Sequence, residues 1–167
     1  MNKVNLIKIF TYFILTIFTF SISFVVKGIA LNNITREFKN PLFELDYLTN
    51  TGAAFSSFTN SAYILAGVAI AVLFCILFYL CYNTHKLNYY KILLLAVFSA
   101  GIAANLFERL RYGFVTDYIA VKPFPFPVFN FQDILIVVSG VLLVIASMHL
   151  PRKNKKVELS DDIDSQD

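Results

Sequence analysis

SAYILAGVAIAVLFCILFYLCY, residues 61–82, runs for 22 positions without an Asp, Glu, Lys or Arg. A helix rises 1.5 Å per residue, so this stretch covers the roughly 30 Å apolar core of a bilayer. Working outward from it, uncharged runs at 9–26, 92–107 and 134–150 repeat the pattern. Flanking residues such as Tyr89, Tyr90 and Lys91 can complete the shorter runs by sitting at the interface. Spans are therefore expected at about 9–29, 61–82, 91–107 and 132–150. The composition agrees: 57% of the 167 residues are hydrophobic and 15% charged, against about 25% charged in soluble domains.

Lys3 and Lys8 ahead of the first run resemble the start of a cleaved signal peptide, but the run is too long and no small-x-small site follows. It is expected to be a retained helix. Cys75 and Cys81 lie on different faces of the second span, which argues against a disulfide and leaves both as apolar packing residues. Net charge is only +3 and includes an acidic end, SDDIDSQD, so nucleic acid is not an expected partner.

Four spans put both termini on one side. Lys3, Lys8, Lys86, Lys91, Arg152, Lys153, Lys155 and Lys156 lie there, against Lys27, Arg36, Lys39, Arg109, Arg111 and Lys122 on the other. The positive-inside rule makes the first side cytoplasmic. Residues 1–150 are then one membrane unit and 151–167 a disordered cytoplasmic tail. Between spans two and three lies the short turn NTHKLN, whereas the outer segments are long. FELDYL in 30–60 and FVTDYI in 108–129 read as strands, and Pro123, Pro125 and Pro127 impose an extended path. The fold class is an all-α membrane protein with four transmembrane helices and a small extracytoplasmic β-containing segment.

Five of the eleven carboxylates fall in the tail. Glu37, Glu44, Asp46, Glu108, Asp117 and Asp133 remain, all at the outer boundary, where ionisable groups near a membrane are functional candidates. Asp133 has a structural reading as the third residue of a helix capped by Asn130. Asp117 has one as a solvated turn residue. Together they also suit general acid–base hydrolysis: one ionised carboxylate deprotonates water while its protonated partner polarises a carbonyl. Such a pair titrates as a unit.

NTGAAFSSF at 50–58 resembles the asparagine-led GAAFS motif of lipoprotein signal peptidases. NLFERLRYGFVTDYI at 105–119 resembles that family's NLIDR segment followed by VVDF, and FPVFNFQDILIV at 126–137 resembles its FN-x-AD segment. Three motifs in the family's order, on the same four-span layout, cover the chain to about Leu150. The resemblance implies a bacterial inner-membrane aspartyl endopeptidase that needs no cofactor or metal and works as a monomer. Its substrates would be diacylglyceryl-modified prolipoproteins, cut before the lipid-bearing cysteine at the outer face among membrane lipids, with globomycin as inhibitor. Asp117 and Asp133 correspond to the catalytic aspartates. Asn50, Gly52, Asn105, Arg109, Asn130 and Lys27 match the residues that line the site and hold substrate.

The chain departs from the pattern in places. Ser23 stands where the family pairs an aspartate with Lys27, leaving that lysine to snorkel toward lipid phosphates. Glu108 replaces Asp, Ala104 replaces Gly, and Gln132 and Ile134 replace small residues beside Asp133. The alternative is a divergent, weakly active or inactive paralogue that binds signal peptides or lipoproteins. A scaffold or transporter subunit fits poorly, because polar residues gather at one boundary rather than at the midplane.

Overall fold

The structure, a computed structural model, describes residues 2–34, 42–52, 61–122 and 126–148. Its elements, in chain order, are α1 (Lys3–Ile34), β1 (Phe43–Asn50), α2 (Ala62–Asn83), α3 (Tyr89–Tyr112), β2 (Val115–Val121) and α4 (Phe131–Met148). All four helices are long and apolar enough to cross a membrane, and the two strands form one antiparallel pair. The chain is a multi-pass membrane protein of the expected fold class. Both expected strands are present, and the expected tail lies outside the described residues.

Helix α3 is the centre of the bundle. Half of its span is buried, against 11% for each of the others, whose apolar side chains face outward. Its small residues Ala96, Ser99, Ala100, Gly101 and Ala104 make this possible, because they let neighbouring backbones approach closely. At Gly101 the fit to α4 is tightest: a Cβ there would lie 2.8 Å from the Gln132 carbonyl oxygen and from Ile136 Cγ1. This approach sets the spacing at which α3 and α4 present their polar ends to each other.

At the opposite end, the buried Lys8 ammonium donates to the carbonyls of Leu87 (2.6 Å) and Thr84 (3.2 Å). Backbone acceptors at the α2–α3 turn are thereby satisfied by a cation from α1, as helix C-termini favour. One turn further in, Tyr12 donates to Ser99 Oγ at 2.8 Å. Asn88 caps α3 by accepting from the Lys91 amide.

Three details differ from the sequence expectation. Helix α3 continues past 107 to Tyr112, where Gly113 ends it at φ 79° and donates back to the Arg109 carbonyl. Glu108 and Arg109 are therefore helical, with Arg109 and Arg111 suiting the negative end of the dipole. Helix α1 also extends beyond its expected span at both ends, to Lys3 and Ile34. Finally, Cys75 and Cys81 are free as expected but exposed, not packed: with only 11% of the α2 span buried, they face the surroundings of the bundle.

The register of the strand pair runs from Phe43↔Val121 to Asn50↔Val115, with an irregularity between Leu45 and Leu48. An ion pair between Lys122 and Glu44 closes its outer end. From β2 the chain returns through Phe129, which bridges Ile119. The Tyr118 and Ile119 amides both donate to the Phe129 carbonyl, at 3.0 and 2.8 Å, and the Phe129 amide donates to Ile119. The segment ending in Phe129 thus folds back on β2 and delivers α4 beside it.

Candidate active site

Asp117 lies in β2 and Asp133 in the first turn of α4. Asn130, fully buried, ties them together. Its Nδ2 donates to Asp117 Oδ1 at 2.7 Å. Its Oδ1 accepts the Asp133 amide at 2.9 Å, while its own amide donates to Asp133 Oδ2 at 3.2 Å. The last two bonds make a reciprocal capping box at the start of α4. Asp133 is therefore a capping residue and a member of the acid pair at once, one oxygen serving each role: its Oδ1 accepts from Asn105 Nδ2 at 2.8 Å.

Asn50 behaves in the same way. Its Oδ1 accepts the Gly52 amide at 3.0 Å, a local turn that orients the side chain so that Nδ2 donates to Asp117 Oδ2 at 2.9 Å. Both oxygens of Asp117 are thus held by asparagine donors from β1 and from the α4 cap. Asn130 Nδ2 also makes a long contact to Asn105 Oδ1, at 3.4 Å. Of the GAAFS stretch, Asn50 and Gly52 fall within the described residues, while Ala53, Ala54, Phe55 and Ser56 lie outside them.

Burial is the largest influence on the Asp117 carboxyl, lifting it from 3.8 to about 6, and the nearby Asp133 pushes the same way. Donation from Asn50 and Asn130 and the charge of Arg109 oppose the rise. A carboxyl in this range can exchange a proton near neutral pH. The neighbouring Tyr118 is pushed up to about 12, chiefly by burial. It stays neutral, and its hydroxyl accepts the Phe131 amide at 3.2 Å, satisfying another orphan donor of α4.

Arg109 sits beside the pair. Its Nη1 reaches only its own helix at the Asn105 carbonyl, 3.4 Å away, and its Nε is buried with no hydrogen-bond partner among the described residues. A buried donor without a partner is costly, so a guanidinium held this way is ready for an incoming oxygen.

Lys27 does not snorkel to lipid. Its ammonium donates to Glu108 Oε2 at 2.6 Å and to Thr116 Oγ1 at 2.9 Å, and only 13% of its side chain is exposed. The counter-charge missing at position 23 comes instead from α3. Sequence reasoning assigned Glu108 and Gln132 no place in the site, although both are fully buried behind it. The available signal was Lys27 itself: a cation at the end of a span without its helical partner requires another anion, and Glu108 lies among the few carboxylates at the same end of the bundle. Among the described residues, no three His, Cys, Asp or Glu side chains are grouped so as to hold a metal ion.

Four apolar spans carry two asparagine-braced carboxylates at one end of the bundle, an arrangement compatible with a membrane-embedded enzyme of the peptidase type. Comparison with known proteins agrees. Residues 12–149 match the family model described as signal peptidase (SPase) II. The lipoprotein signal peptidase of Streptococcus thermophilus is 35% identical over 121 residues, 72% of this chain and 78% of that protein. That of Clostridioides difficile is 32% identical over 148 residues, 86% and 99% respectively. A bacterial membrane enzyme solved by the in meso method shares the fold at a TM-score of 0.73 and 20% identity, covering 89% of this chain and 94% of its own. The chain belongs to the signal peptidase II family.

Proposed function

We propose that this protein removes signal peptides from prolipoproteins as an aspartic endopeptidase, with Asp117 and Asp133 as the catalytic pair. The observation that carries the reading is the bracing of both carboxylates by one buried residue, Asn130, with Asp117 raised to about 6. In the working state the two acids share one proton. The ionised partner takes a proton from a water molecule as the water oxygen attacks the scissile carbonyl. The protonated partner passes its proton to the developing oxyanion, giving a neutral gem-diol. On collapse, one diol hydroxyl returns its proton to an aspartate and the C–N bond breaks. The leaving nitrogen takes a proton from the other aspartate, which restores the starting state.

Arg109, whose Nε has no partner among the described residues, suits the substrate carbonyl, and Asn50, Asn105 and Asn130 hold the aspartates at fixed orientation. The substrate class is the diacylglyceryl-modified prolipoprotein, cut before the lipid-bearing cysteine. Bilayer lipids anchor its acyl chains at the depth of the site. The cation count, eight against six, supports cytoplasmic termini and an outward-facing site.

Cleavage of matched lipidated and unmodified prolipoprotein peptides tests the substrate reading. Each buried methylene contributes about 0.8 kcal/mol of membrane affinity, so the lipidated peptide is cut far faster. Equal rates on both peptides overturn it.

A further inference from the structure

A third carboxylate, Glu108, is fully buried behind the pair. Its Oε2 accepts from Lys27 Nζ at 2.6 Å and from the Thr116 amide at 2.9 Å. Its Oε1 faces Gln132 Nε2 at 3.4 Å. Lys27 closes the loop by donating to Thr116 Oγ1. Four elements, α1, α3, β2 and α4, therefore meet on one carboxylate. The residues it holds are the chain neighbours of the site: Thr116 precedes Asp117, Gln132 precedes Asp133, and Arg109 follows Glu108 itself.

Stability alone is a poor reason for this arrangement. A buried ion pair seldom outperforms apolar side chains of the same size, because desolvation of both charges offsets their attraction. The network is also incomplete, since Gln132 Oε1 is buried with no partner among the described residues. What the network does supply is geometry. It fixes the backbone amide just before one aspartate and the side chain just before the other to a common point. Lys27 meanwhile neutralises Glu108, which would otherwise add a third negative charge beside an acid pair that must retain a single proton.

Building on the aspartic reading above, we infer that Glu108 is a positioning residue that sets the two aspartates relative to each other. Lys27 is its counter-charge and positioning partner rather than a substrate ligand.

The test uses the purified full-length chain in detergent micelles with a lipidated prolipoprotein peptide, and rates are expressed per folded molecule. Glu108→Gln keeps length and an acceptor for Thr116 but strands the Lys27 charge. It is expected to lower kcat about 100-fold with KM within about threefold, as a small displacement of reacting groups does. Lys27→Met added to Glu108→Gln removes the stranded charge, so thermal stability recovers while kcat stays low. A purely structural network predicts that kcat recovers together with stability, and that result overturns the inference, as does wild-type kcat in Glu108→Gln. A KM rise without loss of kcat in Lys27→Met returns that lysine to substrate binding and also overturns it.

Gln132→Met covers the case in which Glu108→Gln does not fold. It leaves the ion pair intact and removes an unsatisfied buried oxygen together with the long 3.4 Å donor to Glu108 Oε1, so stability changes little while kcat falls about tenfold; unchanged kcat counts against the inference. Residual turnover in Glu108→Gln must vanish when Asp133→Asn is added. Activity surviving in Asp133→Asn alone would instead refute the aspartic reading itself, which keeps the two failures distinct.

Discussion

Asn130 both caps a helix and braces an aspartate, and one substitution separates the two roles. Serine caps a helix about as well as asparagine, since its hydroxyl also accepts an early helical amide. It is too short to reproduce the 2.7 Å bond from Nδ2 to Asp117. Asn130→Ser therefore keeps the Asp133 amide satisfied and deletes the donor to the carboxylate. A hydrogen bond to a charged group is worth about 1.5–3 kcal/mol. If that amount is lost from the transition state, turnover falls about 10- to 150-fold. Asn130→Ala loses the same donor and the cap as well, which costs a further ~0.5–2 kcal/mol of stability. Ser and Ala variants should thus share a kcat defect and differ in thermal stability, measured by heat-induced aggregation of purified protein beside turnover on a lipidated peptide. Turnover within threefold of wild type in Asn130→Ser would refute the brace. Equal stability of the two variants would refute the cap.

The remaining predictions concern the far end of the bundle and pH. Lys8→Met removes both bonds to the Thr84 and Leu87 carbonyls, so it should destabilise the protein by about 1–3 kcal/mol with kcat per folded molecule unchanged; an equal fall in kcat would contradict this. For Asp117, at about 6 in the folded protein against about 3.9 unfolded, the folded state binds the extra proton between those values. The stabilisation this gives is complete below the lower value and lost as pH rises through the upper one. Asn50→Leu deletes a donor to the ionised form, raising Asp117 further and moving the pH profile of kcat/KM to higher pH. A shift to lower pH in the measured profile would contradict that sign.

Most of the fold was legible because a bilayer demands long uncharged runs, and those at 61–82 and 92–107 could mean little else. Their ends were not legible. Helix α3 runs on through Glu108 and Arg109 because Gly113 takes the left-handed position that stops it, and apolar runs carry no information on caps. In the site, the sequence offered Asp133 as either a capping residue or a functional one, and Asn50 only through the family motif. In the structure each bonds local backbone with one polar atom and a partner across the site with the other, because carboxylates and amides have two polar atoms. Lys27 was misread because ion pairs within a helix are visible as spacing, whereas its bond to Glu108 joins residues 81 positions apart. Gln132 was visible only as a larger neighbour of Asp133: its place against Glu108 follows from the close approach of α3 and α4 at Gly101.

The central claim is that Asp117 and Asp133 act together as the proton-handling pair. Its most direct test is cleavage of a lipidated prolipoprotein peptide by Asp117→Asn, Asp133→Asn and the double variant, at equal amounts of folded, membrane-inserted protein. Asparagine nearly preserves shape, and at position 133 its oxygen can still accept the Asn130 amide, so insertion should be intact with stability changed by only ~1 kcal/mol. Each single change should lower turnover by at least about 10³-fold, with the double variant little worse, because either loss disables the whole pair. Near-normal turnover in either single variant would contradict the assignment.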